Sequence, residues 1–149
     1  MKNSSILAIA LILLLPVPLS LFATFGGMEA QAATGKDSAA PYIKKYARKY
    51  SVPLNVALAV CHVESHCNCG VRRGAAGEVG PMQVMPRTAK SIGMSLKGCE
   101  NQVKAGLKYL GLAIKGGGYW KYNQGIYAKR KSKAAARYER LVKAVIRTK

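Results

Sequence analysis

Acidic residues are the scarce component of this 149-residue chain: 6 Asp and Glu stand against 24 Lys and Arg, for a net charge of +18. A chain this basic is expected to meet an anionic partner such as a wall polymer, a membrane surface or a nucleic acid, or to use its charge for solubility alone. Runs with strand periodicity, internal repeats and a second composition block are also missing. One compact all-α domain remains, and half of the residues are apolar, enough for a core. No nucleic-acid recognition motif appears, so no nucleic-acid partner is expected.

The N-terminus is a short positive start at Lys2, an aliphatic run from Ile6 to Leu15, breaks at Pro16 and Pro18, and a small-x-small site at Ala30-Gln31-Ala32. We read residues 1–32 as a signal peptide cleaved after Ala32, which makes the chain exported, periplasmic or extracellular. The alternative is an uncleaved anchor, because the apolar stretch continues to Phe25. No cysteine lies near the site, so a lipid on a new N-terminal Cys is not available. Cleavage removes Lys2 and Glu29, leaves the net charge unchanged, and leaves five acids: Asp37, Glu64, Glu78, Glu100 and Glu139.

Four cysteines, Cys61, Cys67, Cys69 and Cys99, in an exported chain are disulfide candidates, with three pairings possible. Cys61 lies on an apolar helix side and is read as a free buried thiol. Cys67 or Cys69 is expected to reach Cys99, closing a loop of about thirty residues with a contribution on the order of 3 kcal/mol. His62 and His66, at i and i+4 with thiols nearby, also admit a metal reading. The zinc-protease pattern would need a Glu directly after the first His, and an oxidising compartment favours disulfides, so no metal or other cofactor is expected.

Helical periodicity places elements at 41–50, 53–65, 87–92, 100–114, 119–124 and 132–147. The second, with Val56, Val60 and Val63 on one side and Leu54, Leu58 and Cys61 on another, is expected to be the central buried helix. In the last, Tyr138, Leu141, Val142 and Val145 are expected to face inward. Residues 66–81, with Gly70, Gly74, Gly77, Gly80 and Pro81, form a loop.

Glu64 ends the apolar second helix. A carboxylate there is poorly solvated and faces the negative end of the helix dipole. Both effects raise its pKa, and an acid still protonated near neutral pH can serve as a general acid. Sixteen residues on comes the tight segment Gly80-Pro81-Met82-Gln83, with one amide side chain.

These segments resemble a family. Ala57 to Ser65 resembles the Glu-Ser motif of the soluble lytic transglycosylases. Gly74 to Ala89, with Met82-Gln83 and Met85-Pro86, resembles their Gly-x-Met-Gln-x-Met-Pro-x-Thr-Ala motif. Asn101 to Leu110, with Gly106 and Tyr109, is similar to their Asn…Gly…Tyr-Leu helix, and Tyr122-Asn123-Gln124-Gly125 to their Tyr-Asn-Ala-Gly. The matches run in family order over residues 41–145. The resemblance implies a small lysozyme-like helical domain that cleaves the β-1,4 bond between N-acetylmuramic acid and N-acetylglucosamine in peptidoglycan. It implies that Glu64, as the single acid and base, closes a 1,6-anhydro ring without consuming water.

By position, Ser65 would hydrogen-bond Glu64 or a sugar. Gln83 would hold an N-acetyl group or the scissile region, and Tyr122 and Asn123 would orient the sugar ring and the Glu64 carboxyl. Met82 would offer an apolar contact to the sugar face. The blander readings are a turn residue for Gln83, a core aromatic for Tyr122 and a helix-end cap for Asn123. A glycosidase with two carboxylates needs a second acid, and only Glu78, beside the substrate loop, is placed to assist. Glu100 and Glu139 read as surface residues on helices. Pro81 for Leu, Gln124 for Ala, and Trp120 and Lys121 for small residues depart from the family pattern. They bear on subsite shape and substrate preference.

The partners expected are peptidoglycan strands and, by analogy, a cell-envelope secretion or conjugation apparatus, with the protein a monomer. A water-using muramidase and a non-catalytic wall-binding or assembly factor are the competing functions.

Overall fold

The computed structural model describes residues 37–148. The proposed signal peptide, its alternative as an anchor, and the cleavage site lie outside the described residues. Among the described residues no helix is long and apolar enough to cross a membrane.

Among the described residues six α-helices and one short 3-10 turn follow in chain order: α1 Ala40–Tyr46, the 3-10 turn Arg48–Tyr50, α2 Leu54–Ser65, α3 Pro86–Ser91, α4 Cys99–Lys115, α5 Trp120–Gln124 and α6 Lys133–Thr148. The domain is all-α, as expected. No strand is formed among the described residues, and only two isolated bridges occur, Ser38 with Asn68 and Val79 with Val84.

The first helical segment is broken where a single helix was expected. Ala47 is buried, and the chain tightens there into the 3-10 turn and ends at Ser51 in the left-handed region, φ 55°. Gly111 permits this approach, because a Cβ there would collide with the Tyr50 carbonyl oxygen.

Helix α2 starts after Pro53, whose fixed φ suits the entry and whose carbonyl accepts from Ala57 N–H at 3.0 Å. Its buried side is made of small residues, Ala57, Ala59, Val60 and Cys61. That lets α1 and α6 close against it, while α4 packs on α1 and α5, with Ile43, Val103, Leu107, Leu110, Tyr138 and Val142 in the shared core. Two inward assignments need correction: Leu54 is 44% exposed and Leu141 48%. Leu54 is the first residue of α2, and Leu141 lies on the outer side of α6, so both sit beyond the core's edge. Proline at the first turn starts α3, and the Ser132 hydroxyl accepts from Ala135 N–H at 3.1 Å to cap α6.

No cysteine is free among the described residues, which corrects the reading of Cys61 as a lone thiol. Cys61 pairs with Cys67, Cα atoms 5.0 Å apart, and Cys69 pairs with Cys99, Cα atoms 5.4 Å apart. The first pair exists because His66 and Cys67 are both left-handed, φ 55° and 59°. They turn the chain back over the end of α2, where Cys67 N–H donates to the Cys61 carbonyl at 3.1 Å. The second pair ties the following loop to the start of α4, as expected for one of Cys67 and Cys69.

Candidate active site

Glu64 lies in the last turn of α2, which ends at left-handed His66. Opposite it, Val79 and Val84 exchange backbone hydrogen bonds of 3.0 Å in both directions and close a hairpin around Gly80-Pro81-Met82-Gln83. Pro81 suits the second position of such a turn, where φ near −65° is needed. The family departure at this residue therefore serves the turn.

The hairpin is pinned by three carbonyls. Gly80 O accepts from the Gln83 side-chain amide at 2.8 Å, Pro81 O from the Ser65 hydroxyl at 2.8 Å, and Met82 O from the Tyr122 hydroxyl at 2.6 Å. Ser65 also accepts from Asn68 N–H at 3.1 Å. The Ser65 hydroxyl thus latches the hairpin to the end of α2, and its protein partners are Pro81 O and Asn68 N–H rather than Glu64. Met82 is fully buried, with its side chain over Gly106 of α4, where a Cβ would collide with it. It anchors the hairpin from beneath, and the expected contact with a sugar face does not hold.

Between the hairpin, the end of α2 and α5 lies a cleft of about 460 Å³, within the roughly 300–1,000 Å³ of ordinary ligand sites. Glu64, Glu78, Gln83, Tyr122 and Asn123 line it, so five of the seven residues singled out by sequence meet in one cavity. Gln83 has φ 46°, a conformation that a side-chain-bearing residue adopts only when its surroundings hold it there. Gly74 makes room for it: a Cβ there would lie 2.7 Å from Gln83 Oε1 and also against the Glu78 carboxylate. Glu78 is oriented locally by Ala76 N–H, which donates to Oε2 at 3.1 Å. Tyr122 is a buried aromatic tilted against Tyr109, ring centroids 5.2 Å apart, and burial raises the pKa of its phenol, which stays a donor. Asn123 is exposed in the cleft wall. Gln124 also lines the cleft, but its side chain is tied toward α6: its amide donates to Arg130 O at 2.9 Å, its carbonyl accepts from Ser132 N–H at 2.8 Å, and so it sets the start of α6.

Burial pushes the Glu64 carboxyl up to about 7, and the neighbouring Glu78 charge acts in the same direction. Against both, the Tyr138 hydroxyl donates to Glu64 Oε1 at 2.7 Å and favours the ionised form. Burial comes first among these causes, because no cation bridges to Glu64 among the described residues. The result is a carboxyl balanced near neutrality, able both to give and to take a proton.

Sequence reasoning placed Tyr138 on the inward stripe of α6 as core. The available signal was its phenol, which needs a partner when buried. Arg87, Thr88 and Tyr109 also line the cleft and were not singled out as site residues. The remaining acids are elsewhere. Glu100 is held by Tyr46, Lys104 at 3.0 Å and Lys45 at 3.8 Å, and Glu139 by Lys131 and Lys143 at 3.3 Å. His62 and His66 touch edge to face, 4.6 Å between centroids, and among the described residues no group of three or more His, Cys, Asp or Glu forms a metal cluster.

The transglycosylase SLT domain matches residues 41–145, so the chain belongs to that family. The match extends from α1 into α6 and includes every cleft residue named above. Its general activity is that of the lytic transglycosylases, glycan-cleaving and murein-degrading, with peptidoglycan as substrate. No solved structure gives a significant match.

Proposed function

We propose that the protein cleaves the β-1,4 bond between N-acetylmuramic acid and N-acetylglucosamine, with Glu64 as the single acid and base. The observation that carries this reading is the Glu64 carboxyl, held up to about 7 at the end of α2 and bonded by Tyr138. Protonated Glu64 gives its proton to the glycosidic oxygen as the bond to the muramic C1 breaks. The same carboxylate then takes the proton of the muramic C6 hydroxyl, whose oxygen bonds C1 and closes the 1,6-anhydro ring. No water is consumed. In this reading Tyr138 orients the carboxylate between the two transfers. Gln83 and Asn123 offer polar contacts to the sugar, and Ser65, Met82 and Tyr122 act indirectly by fixing the hairpin. The substrate also implies an exported chain from which residues 1–32 have been removed. Local wall opening for a secretion or conjugation apparatus is the setting we propose.

Glu78 favours a second reading. It shares the cleft with Glu64 and interacts with it electrostatically, and a second carboxylate can activate water in glycoside hydrolysis. Mass spectrometry of purified peptidoglycan digested by the protein separates the two. The expected products are lighter by one water than hydrolysis products, and with Glu64→Gln they fall on the order of 10³-fold. Full-mass reducing ends lost with Glu78→Gln would establish the hydrolase instead. A folded protein that releases nothing would leave a wall-binding or assembly role.

A further inference from the structure

At the end of α2 remote from Glu64, the surface changes character. Leu54 and Glu64 are ten positions apart, which is roughly 15 Å along a helix axis. Three shallow hollows adjoin there. One holds Lys49, Leu112 and Lys115 with Ser51 at its border. The next holds Ser51, Lys44, Arg48 and Leu54, and the third runs from Leu54 past Leu58 to Val145 and Ile146. Ser51 joins the first to the second and Leu54 the second to the third. Leu112 is 38% exposed and Leu54 44%. No acidic residue lines any of the three hollows, whereas the catalytic cleft holds two.

We propose that this face docks the protein onto an anionic phospholipid surface, with Leu54 and Leu112 entering the headgroup–acyl boundary and Lys44, Arg48, Lys49 and Lys115 meeting the phosphates. Charge complementarity selects an anionic occupant. The leucines select lipid among anionic occupants, because a hydrated polyanion such as a wall polymer offers apolar side chains nothing to enter. Apolar side chains ringed by Lys and Arg match the layered order of a bilayer surface, where phosphates lie above the acyl boundary. The docking end and the acid end of α2 are separate, so a docked protein keeps its cleft free. The inference does not depend on which product the cleft forms.

The experiment is co-sedimentation of the exported protein with vesicles of phosphatidylglycerol and phosphatidylcholine, and with pure phosphatidylcholine, at about 0.15 M salt. The diffuse charge of the chain is the competing cause, so the variants separate the two. Leu54→Ser with Leu112→Ser keeps the charge and is expected to cut partitioning onto the anionic vesicles about tenfold. Lys44→Gln with Arg48→Gln is expected to cut it about twentyfold. Arg72→Gln with Arg73→Gln removes the same charge from the exposed loop before the hairpin and is expected to change partitioning less than threefold or so. Retained peptidoglycan cleavage shows that each variant is folded. Equal binding to neutral and anionic vesicles, an unchanged leucine variant, or equal losses from the two charge pairs would each overturn the proposal. So would no partitioning at all, as expected if the face meets an acidic protein instead.

Discussion

Two glutamates on different helices answer to opposite surroundings. Glu100, in the first turn of α4, sits at the surface among Tyr46, Lys104 and Lys45, and the Tyr46 and Lys104 hydrogen bonds hold its carboxyl below the ordinary value. Glu64, in the last turn of α2, is largely withdrawn from water, has another carboxylate for a neighbour, and is pushed up to about 7. The residue type is the same and the chain is full of cations, yet none of them forms an ion pair with Glu64 among the described residues, although Arg87 lines the cleft. The difference teaches that the net charge of the chain does not set a carboxyl's pKa; burial and the immediate neighbours do. A second glutamate pairing with Lys131 and Lys143, Glu139, follows the Glu100 pattern.

The largest effect on that comparison should come from Glu64→Gln. Its folded pKa lies above the value of 4.5 for an ordinary glutamate. Below about pH 4.5 both folded and unfolded carboxyls are protonated and the site costs nothing. As pH rises the unfolded chain ionises first, so stability falls until the folded carboxyl has also ionised, above about pH 7. The total penalty is about 3 kcal/mol. Glu64→Gln should therefore be more stable than the parent at pH 8, by up to this amount, and indistinguishable from it near pH 4. Glu100→Gln should behave in the opposite sense. A lowered folded pKa contributes stability at neutral pH that is lost as pH falls through it, so this variant is slightly less stable at pH 7. Urea unfolding at the two pH values checks both, and a Glu64→Gln protein no more stable at pH 8 would show that the carboxyl is not held up by burial.

Tyr138→Phe sharpens the same contrast by removing the one group that favours the ionised form of Glu64. The Glu64 pKa should rise, and the alkaline limb of kcat/KM, set by loss of the protonated acid near pH 7, should move to higher pH. The rate should fall about tenfold, the size of one hydrogen bond to a charged group. A purely structural role for Tyr138 would lower activity without moving the limb, so the pH profile decides.

The elements and the acid at the helix end were legible because periodicity and the scarcity of acids are properties of the chain itself. Pro86 and Ser132 marked helix starts, and Glu64 stood out as a carboxylate in an apolar helix. What escaped depends on partners the sequence does not display. Tyr138 meets Glu64 across 74 positions and looked like any inward aromatic. Ser65 and Tyr122 stood out in the sequence, but their acceptors are backbone carbonyls of Pro81 and Met82, which no side-chain pattern reveals. The Cys61–Cys67 pair needed two successive left-handed residues, His66 and Cys67, neither of them glycine. Leu54 and Leu141 fit the apolar stripe and still face solvent, because periodicity records which side of a helix is apolar and not how far the core reaches along it.

The smallest effect we expect is the most informative about how the two sides of the cleft are joined. Ser65 accepts from Asn68 N–H and donates to Pro81 O, so Ser65→Ala removes both bonds at once. Neither partner is on the substrate, so substrate contacts are not touched directly. The expected loss is about 1 kcal/mol of stability and a fall in kcat larger than any change in KM, because the hairpin carrying Gln83 loses its tie to the helix carrying Glu64. Ser65→Thr keeps a hydroxyl at the same place and should recover most of both. If Ser65→Ala instead raised KM with kcat unchanged, Ser65 would be contributing to sugar binding, and the latch would have to be assigned to Tyr122 and the Gly80–Gln83 turn alone.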